Sequence, residues 1–285
     1  MKSYIAIYRP LNILFIGVAQ FLCAYFLDTS SSLESLVSAG VHWVILGTAC
    51  AASFGYWVND FLDQERDQIN KKRPSAIQAL SEWMVWLHIA VFGIASIAIG
   101  FMLGSWFLGV YSVTLLLLLL YSLWLKNVML FGNIVIAVLC FLSLYMVYKL
   151  IPSLDIILVL HFAAVAGFLT LIRELLKDAE DIEGDRETGA KTLPIVLGLK
   201  VTHSAVFIVA CATLLFTITS LYAQQSYLTT TMSYVYYTYY AVFIIFPIYK
   251  IAIDVPYVTE KAGYSKLAQS VKYVIFVGIL SMMFF

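Results

Sequence analysis

Apolar runs of membrane-spanning length alternate along this chain with short polar segments. About 20 consecutive apolar residues suffice to carry a helix across the hydrocarbon core of a bilayer. Such runs lie near residues 11–28, 41–58, 84–103, 106–124, 131–150, 154–175, 202–222, 234–252 and 269–285. The pattern predicts an all-α polytopic membrane protein with about nine transmembrane helices, forming a single membrane-embedded domain over residues 1–285. The third and fourth runs are separated only by Gly104-Ser105, and no hydrophilic stretch is long enough for a second domain. Pro247 falls inside the eighth run, where a simple kink accounts for it.

Composition sharpens this picture. The chain is 62% hydrophobic and 12% charged, with mean hydropathy +0.91, whereas soluble domains have about 25% charged residues. Formal net charge is zero, so no global field points to nucleic acid, and no obligate protein partner is evident. Cys23, Cys50, Cys140 and Cys211 each sit in an apolar run without CxxC spacing, which predicts buried small hydrophobes. Arg9-Pro10 leads into a first membrane helix, not into the short apolar region and cleavage site of a signal peptide.

Charge placement orients the helices. With the N-terminus in the cytoplasm, all but Lys149 of the 17 Lys and Arg residues fall on the cytoplasmic side, as the excess of positive charge in cytoplasmic loops requires. In a bacterial cell this places the chain in the inner membrane, with its polar ends facing the cytoplasm. The tyrosine-rich run Tyr234, Tyr236, Tyr237, Tyr239 and Tyr240 is expected at the outer interface of the eighth helix. His161, well inside a span, is expected to make a polar contact within the bundle.

Two acidic segments carry the candidate chemistry. Asn59, Asp60, Asp63 and Asp67 lie where the second run ends, and Asp178, Asp181 and Asp185 where the sixth ends. Spacings of three and four stack these side chains on one helical face. Like charges so placed repel, the more so beside a low-dielectric slab, and a divalent cation is the economical counterion. Mg²⁺ is commonly held by one or two carboxylates together with substrate phosphates. Both segments lie on one membrane side in this topology, so they are expected to face one cavity and clamp one diphosphate. Arg66, Lys72, Arg73, Lys126, Lys177, Arg186 and Lys191 share that side and suit the oxygens of a leaving diphosphate. Four spans separate the segments, which suggests a duplicated four-helix unit.

These residues resemble the UbiA superfamily of intramembrane prenyltransferases. Asn59, Asp60, Asp63 and Asp67 match its NDxxDxxxD motif, and Asp181 and Asp185 match its second, DxxxD. Tyr121-Ser122-Leu123-Trp124-Leu125-Lys126, Gly132-Asn133, and Arg9-Pro10 with Asn12 are similar to further elements of the family. The resemblance implies a ring of helices around a central cavity open to lipid. It implies Mg²⁺ held by Asp60, Asp63, Asp67, Asp181 and Asp185 on a prenyl diphosphate donor, with Asn59 orienting them. Arg66, Lys126 and Arg186 would contact the diphosphate; Arg9, Tyr121, Arg73, Lys177, Asp178 and Lys191 complete the expected substrate-binding set. The run from Arg173 to Asp185 is most similar to digeranylgeranylglyceryl phosphate synthases, which implies a geranylgeranylglyceryl phosphate acceptor among the membrane lipids. An aromatic acceptor, 4-hydroxybenzoate or homogentisate, is the alternative. A divalent-cation or anionic-solute transporter is the rival of another class, but transporters place their ionisable residues near the midplane, and here they sit at helix ends.

Overall fold

The computed structural model describes residues 6–27, 32–71, 76–224 and 227–285. Among them, eight helical stretches are long and apolar enough to cross a membrane, and a further apolar helix, Pro10–Phe26, has 17 residues. That helix is α1. It is followed by the short α2 (Leu33–Ala39), the long α3 (Val41–Leu62) and the polar α4 (Gln64–Lys71). Then come α5 (Glu82–Leu103), α6 (Ser105–Leu123), α7 (Phe131–Leu150) and α8 (Ile156–Glu180). Two short helices follow, α9 (Ile182–Glu187) and α10 (Leu193–Val196), before α11 (Gly198–Gln224). The chain ends with α12 (Thr230–Tyr240), α13 (Phe246–Asp254) and α14 (Lys261–Leu280).

The eighth predicted run is one continuous helical stretch, Thr230–Tyr257, as expected. It is α12 and α13 joined by a π-helical turn over Ala241–Ile245, immediately before Pro247. Proline has no amide hydrogen and its ring crowds the carbonyl four residues back, here Phe243. A wider turn is the local way to accommodate both.

Two long helices organise the packing. α3 packs on α1, α5 and α6, while α8 packs on α7, α11 and α14. Small residues permit the closest approaches, as is usual where helices associate in lipid. A Cβ at Gly47 would lie 2.6 Å from the Tyr111 hydroxyl, which instead donates to the Val44 carbonyl at 3.0 Å.

A buried polar network holds the second half together. His161 Nε2 lies 3.0 Å from the Tyr240 hydroxyl and its Nδ1 2.6 Å from Ser220 Oγ. The Ser281 hydroxyl donates to Tyr240 as well, at 3.1 Å. His161 therefore ties α8 to α11 and α12, as the sequence led one to expect. The tyrosine run differs from its expectation. Tyr234 is exposed, but Tyr236 and Tyr240 are buried, 0% and 1% exposed. They follow helical spacing, and their hydroxyls meet Gln224 and His161, so a polar tip is satisfied inside the bundle. Of the four free cysteines, Cys23 and Cys50 are buried and Cys140 partly so, whereas Cys211 is exposed on the outer face of α11.

Candidate active site

The two acidic segments sit on helix ends of the same construction. α3 stops at Leu62 because Asp63 turns out of the helix, φ −95° and ψ 13°, with its amide still donating to the Asn59 carbonyl at 2.9 Å. α8 stops at Glu180 because Asp181 does the same, φ −100° and ψ 13°, donating to Lys177 at 2.9 Å. The chain then enters α4 and α9, and the bonding continues from Asp67 to Asp63 at 2.8 Å and from Asp185 to Asp181 at 3.0 Å. Each segment thus keeps helical stacking across a slight bend. α4 and α9 pack against each other, so the two segments meet.

Arg66 joins them. Its guanidinium lies 3.3 Å from Asp185 and 3.8 Å from Asp63, and it donates to Asn127 Oδ1 at 2.5 Å and to the Thr188 hydroxyl at 3.2 Å. Lys126 donates to Asp63 at 2.6 Å and approaches Asn59 Oδ1 at 3.5 Å. Backbone geometry places Lys126. A Cβ at Gly132 would come within 2.8 Å of the Lys126 Cα, so only glycine lets the start of α7 press onto this loop. The loop is pinned on its other side, where the Lys191 amide donates to the Asn127 carbonyl at 2.9 Å.

Residues beside the two segments are held similarly. Arg9 has a left-handed backbone, φ 47°. It donates to Asp60 at 2.6 Å and its guanidinium lies 4.7 Å from the Tyr56 ring centre. Asp178 accepts from Asn133 at 2.9 Å. Tyr121 is half-buried within electrostatic reach of Glu174, Asp178, Asp63 and Arg9.

Electrostatics follow from burial against pairing. Burial raises the Asp185 carboxyl, and Arg66 pulls it partly back. Burial pushes Asp181 up to about 6, against the pull of Lys177 and of Lys261, whose ammonium is 3.9 Å away. Burial lowers Lys126 more than Asp63 raises it. For Arg9, burial acts against the charge, but Asp60 and Tyr56 together outweigh it and raise the group.

The remaining expected residues divide. Asp67 and Lys177 are half-buried beside the site, while Arg186 is exposed. The Lys191 side chain is also exposed, and its backbone makes the contact. Arg73 and Lys72 lie outside the described residues. The contributions of Asn127, Thr188, Asn133 and the Arg173–Glu174 pair, 2.6 Å apart, were not anticipated from the sequence. Asn127 directly follows the Tyr121–Lys126 element and Asn133 lies within the Gly132-Asn133 element, and those positions were their available signal.

Among the described residues, no three His, Cys, Asp or Glu side chains stand close enough to bind an ion by themselves. What converges is carboxylate oxygen in ones and twos, already beside cations. That donor set fits Mg²⁺, which keeps part of its shell for phosphate oxygens.

The chain has relatives of known family and fold. Residues 15–267 match the model of the UbiA prenyltransferase family. The digeranylgeranylglyceryl phosphate synthase of Thermococcus kodakarensis is 33% identical over 206 residues, 70% of each chain. That of Methanothermobacter thermautotrophicus is 36% identical over 205 residues, 71% of this chain and 69% of its own. A solved UbiA homologue from Archaeoglobus fulgidus, bound to GPP and Mg²⁺, shares the fold with TM-score 0.68 at 16% identity, covering 98% of this chain and 99% of that one. Two acidic helix ends brought together in a multi-pass membrane bundle, and a family match over most of its length, lead to one statement: the chain belongs to the UbiA prenyltransferase family.

Proposed function

We propose that this prenyltransferase moves an isoprenoid chain from a prenyl diphosphate to the hydroxyl of geranylgeranylglyceryl phosphate, making an ether lipid. The observation that carries the donor half is Arg66 shared between Asp63 and Asp185. A cation shared by two carboxylates from distant segments marks a place where a multiply charged group can exchange partners. The acceptor half is supported by the names of relatives at 33% and 36% identity.

In this reading Asp60, Asp63, Asp67, Asp181 and Asp185 hold Mg²⁺ with the diphosphate. Mg²⁺ held there would supply positive charge to the leaving pyrophosphate. The chain's own cations do the rest. Arg66 and Lys126 leave their carboxylates and turn to phosphate oxygens. The isoprenoid tail lies among the helices, and the apolar bundle keeps water from the allylic carbon as its C–O bond breaks. Tyr56 and Tyr121 present aromatic faces near that carbon. The acceptor oxygen bonds to it and releases its proton, which Glu174, buried one turn from Asp178, would take. The site opens to the cytoplasm, as the distribution of Lys and Arg supports.

Product analysis tests this. Purified protein with Mg²⁺ and a ladder of prenyl diphosphates is offered geranylgeranylglyceryl phosphate, 4-hydroxybenzoate and homogentisate. An ether lipid product is expected; a prenylated ring as the sole product overturns the acceptor. Asp60→Asn and Asp181→Asn are each expected to abolish transfer while the protein still folds. Normal turnover in either removes the two-segment mechanism.

A further inference from the structure

We propose that Arg173, Lys177 and Lys272 form a subsite for the phosphate of an anionic lipid acceptor, at the seam where α14 packs against both α8 and α1. The proposal rests on the reading above and names the residues that would select its acceptor.

Arg173 and Lys177 stand four residues apart on α8, so they share one face. α14 packs against α8, and Lys272 on it lies within electrostatic reach of both. The charges acting on the Lys272 ammonium are those of Arg173 and Lys177, both repulsive. All three side chains are half-buried. Each of the α8 cations has acidic company. Arg173 pairs with Glu174 at 2.6 Å, and Lys177 acts on Asp178 and Asp181. Lys272 differs. No carboxylate among the described residues lies within 4.0 Å of it, and its ammonium sits 5.5 Å from the centre of the Phe15 ring. A cation held by an aromatic face and pressed by two like charges is arranged for an anion from outside the chain.

Chemistry narrows that anion. A monoester phosphate carries between one and two negative charges near neutral pH and offers three acceptor oxygens, enough for three donors, and guanidinium binds such a group through two parallel hydrogen bonds. Arg9, another cation near the acidic segments, is committed to Asp60. Arg66 and Lys126 are committed to the two-segment site. The surroundings suit the rest of the molecule. Phe15 of α1 stacks on Phe276 of α14 with ring centres 5.0 Å apart, giving an apolar seam for a lipid's chain. Glu174 is the neighbour of Arg173, and its carboxylate reaches electrostatically to Tyr121 and Asp178. A phosphate at Arg173 would leave the adjacent glycerol hydroxyl near Glu174, the carboxylate proposed above to take its proton.

The test is Lys272→Gln, a neutral side chain of similar length at a partly exposed position. Losing one charge-assisted bond is expected to raise KM for geranylgeranylglyceryl phosphate about tenfold. The KM for the prenyl diphosphate and kcat should stay within about twofold, and Lys272→Arg should restore the acceptor KM. An unchanged acceptor KM, or an equal rise for the donor, overturns the subsite while leaving the proposed reaction standing. A second arm needs no turnover. With metal chelated and donor absent, geranylgeranylglyceryl phosphate should raise the Tm of the wild type and not of Lys272→Gln. If the wild type makes no ether product, the proposed acceptor falls, and this arm still decides. A shift lost in the variant supports the anion site, and no shift in the wild type overturns it. Equal stabilisation by phosphatidylglycerol, a diester of the bilayer, overturns the assignment to the acceptor.

Discussion

Arg66 touches four partners on three segments of chain: Asp63 on its own segment, Asp185 and Thr188 beyond α8, and Asn127 after α6. A planar guanidinium can serve all of them, and an ammonium cannot. Arg66→Lys should therefore lose activity almost as fully as Arg66→Gln. Both should fall about 100-fold or more in kcat/KM for the donor, a loss of about 3 kcal/mol of transition-state stabilisation, and steady-state kinetics with saturating acceptor measures this. Asp181 gives a pH signature. Its carboxyl is held near 6 in the folded protein, against an ordinary value of 3.8. The folded state thus binds the proton more tightly than the unfolded one, so this group favours folding at low pH. Its contribution is lost as pH rises from about 4 to about 6. Metal-free protein should show that decline in Tm, and Asp181→Asn should show a shallower one. The identity of these residues was legible from spacing alone. Their pairing was not, because Asn127, Thr188 and Arg66 come together only through tertiary contacts between segments some 60 and 120 positions apart.

Helices explain why two distant segments share a design. Asp63 and Asp181 end α3 and α8 with nearly the same dihedral angles, and a short helix follows each. The duplicated four-helix unit suggested by sequence spacing would put these two ends in equivalent positions. Hydropathy located the spans well, but it carries no information on which side of a helix faces lipid. Where every side is apolar, rotation about the axis is set by packing. Tyr236 and Tyr240 were misplaced for that reason, since a tyrosine suits both an interface and a satisfied core. Two substitutions separate site from scaffold. Gly132→Ala drives a methyl into the Lys126 backbone, so it should cost about 1–3 kcal/mol of stability and raise the donor KM. His161→Phe leaves Tyr240 and Ser220 without their shared partner and should cost about 1–3 kcal/mol with the donor KM unchanged. Thermal unfolding and kinetics on both variants check the contrast.

At the scale of the molecule, a bundle mostly built of apolar side chains concentrates its chemistry at helix ends. α4 and α9 pack together there, and Arg66, Lys126 and Arg9 occupy carboxylates that a metal and a diphosphate would otherwise share. The direct measurement is Mn²⁺ binding, followed by electron paramagnetic resonance on purified protein with and without a prenyl diphosphate. Wild type should take up Mn²⁺ strongly only when the diphosphate is present, and Asp63→Asn and Asp185→Asn should each lose that uptake. Retention of diphosphate-dependent Mn²⁺ in either variant would contradict a metal site built from both segments.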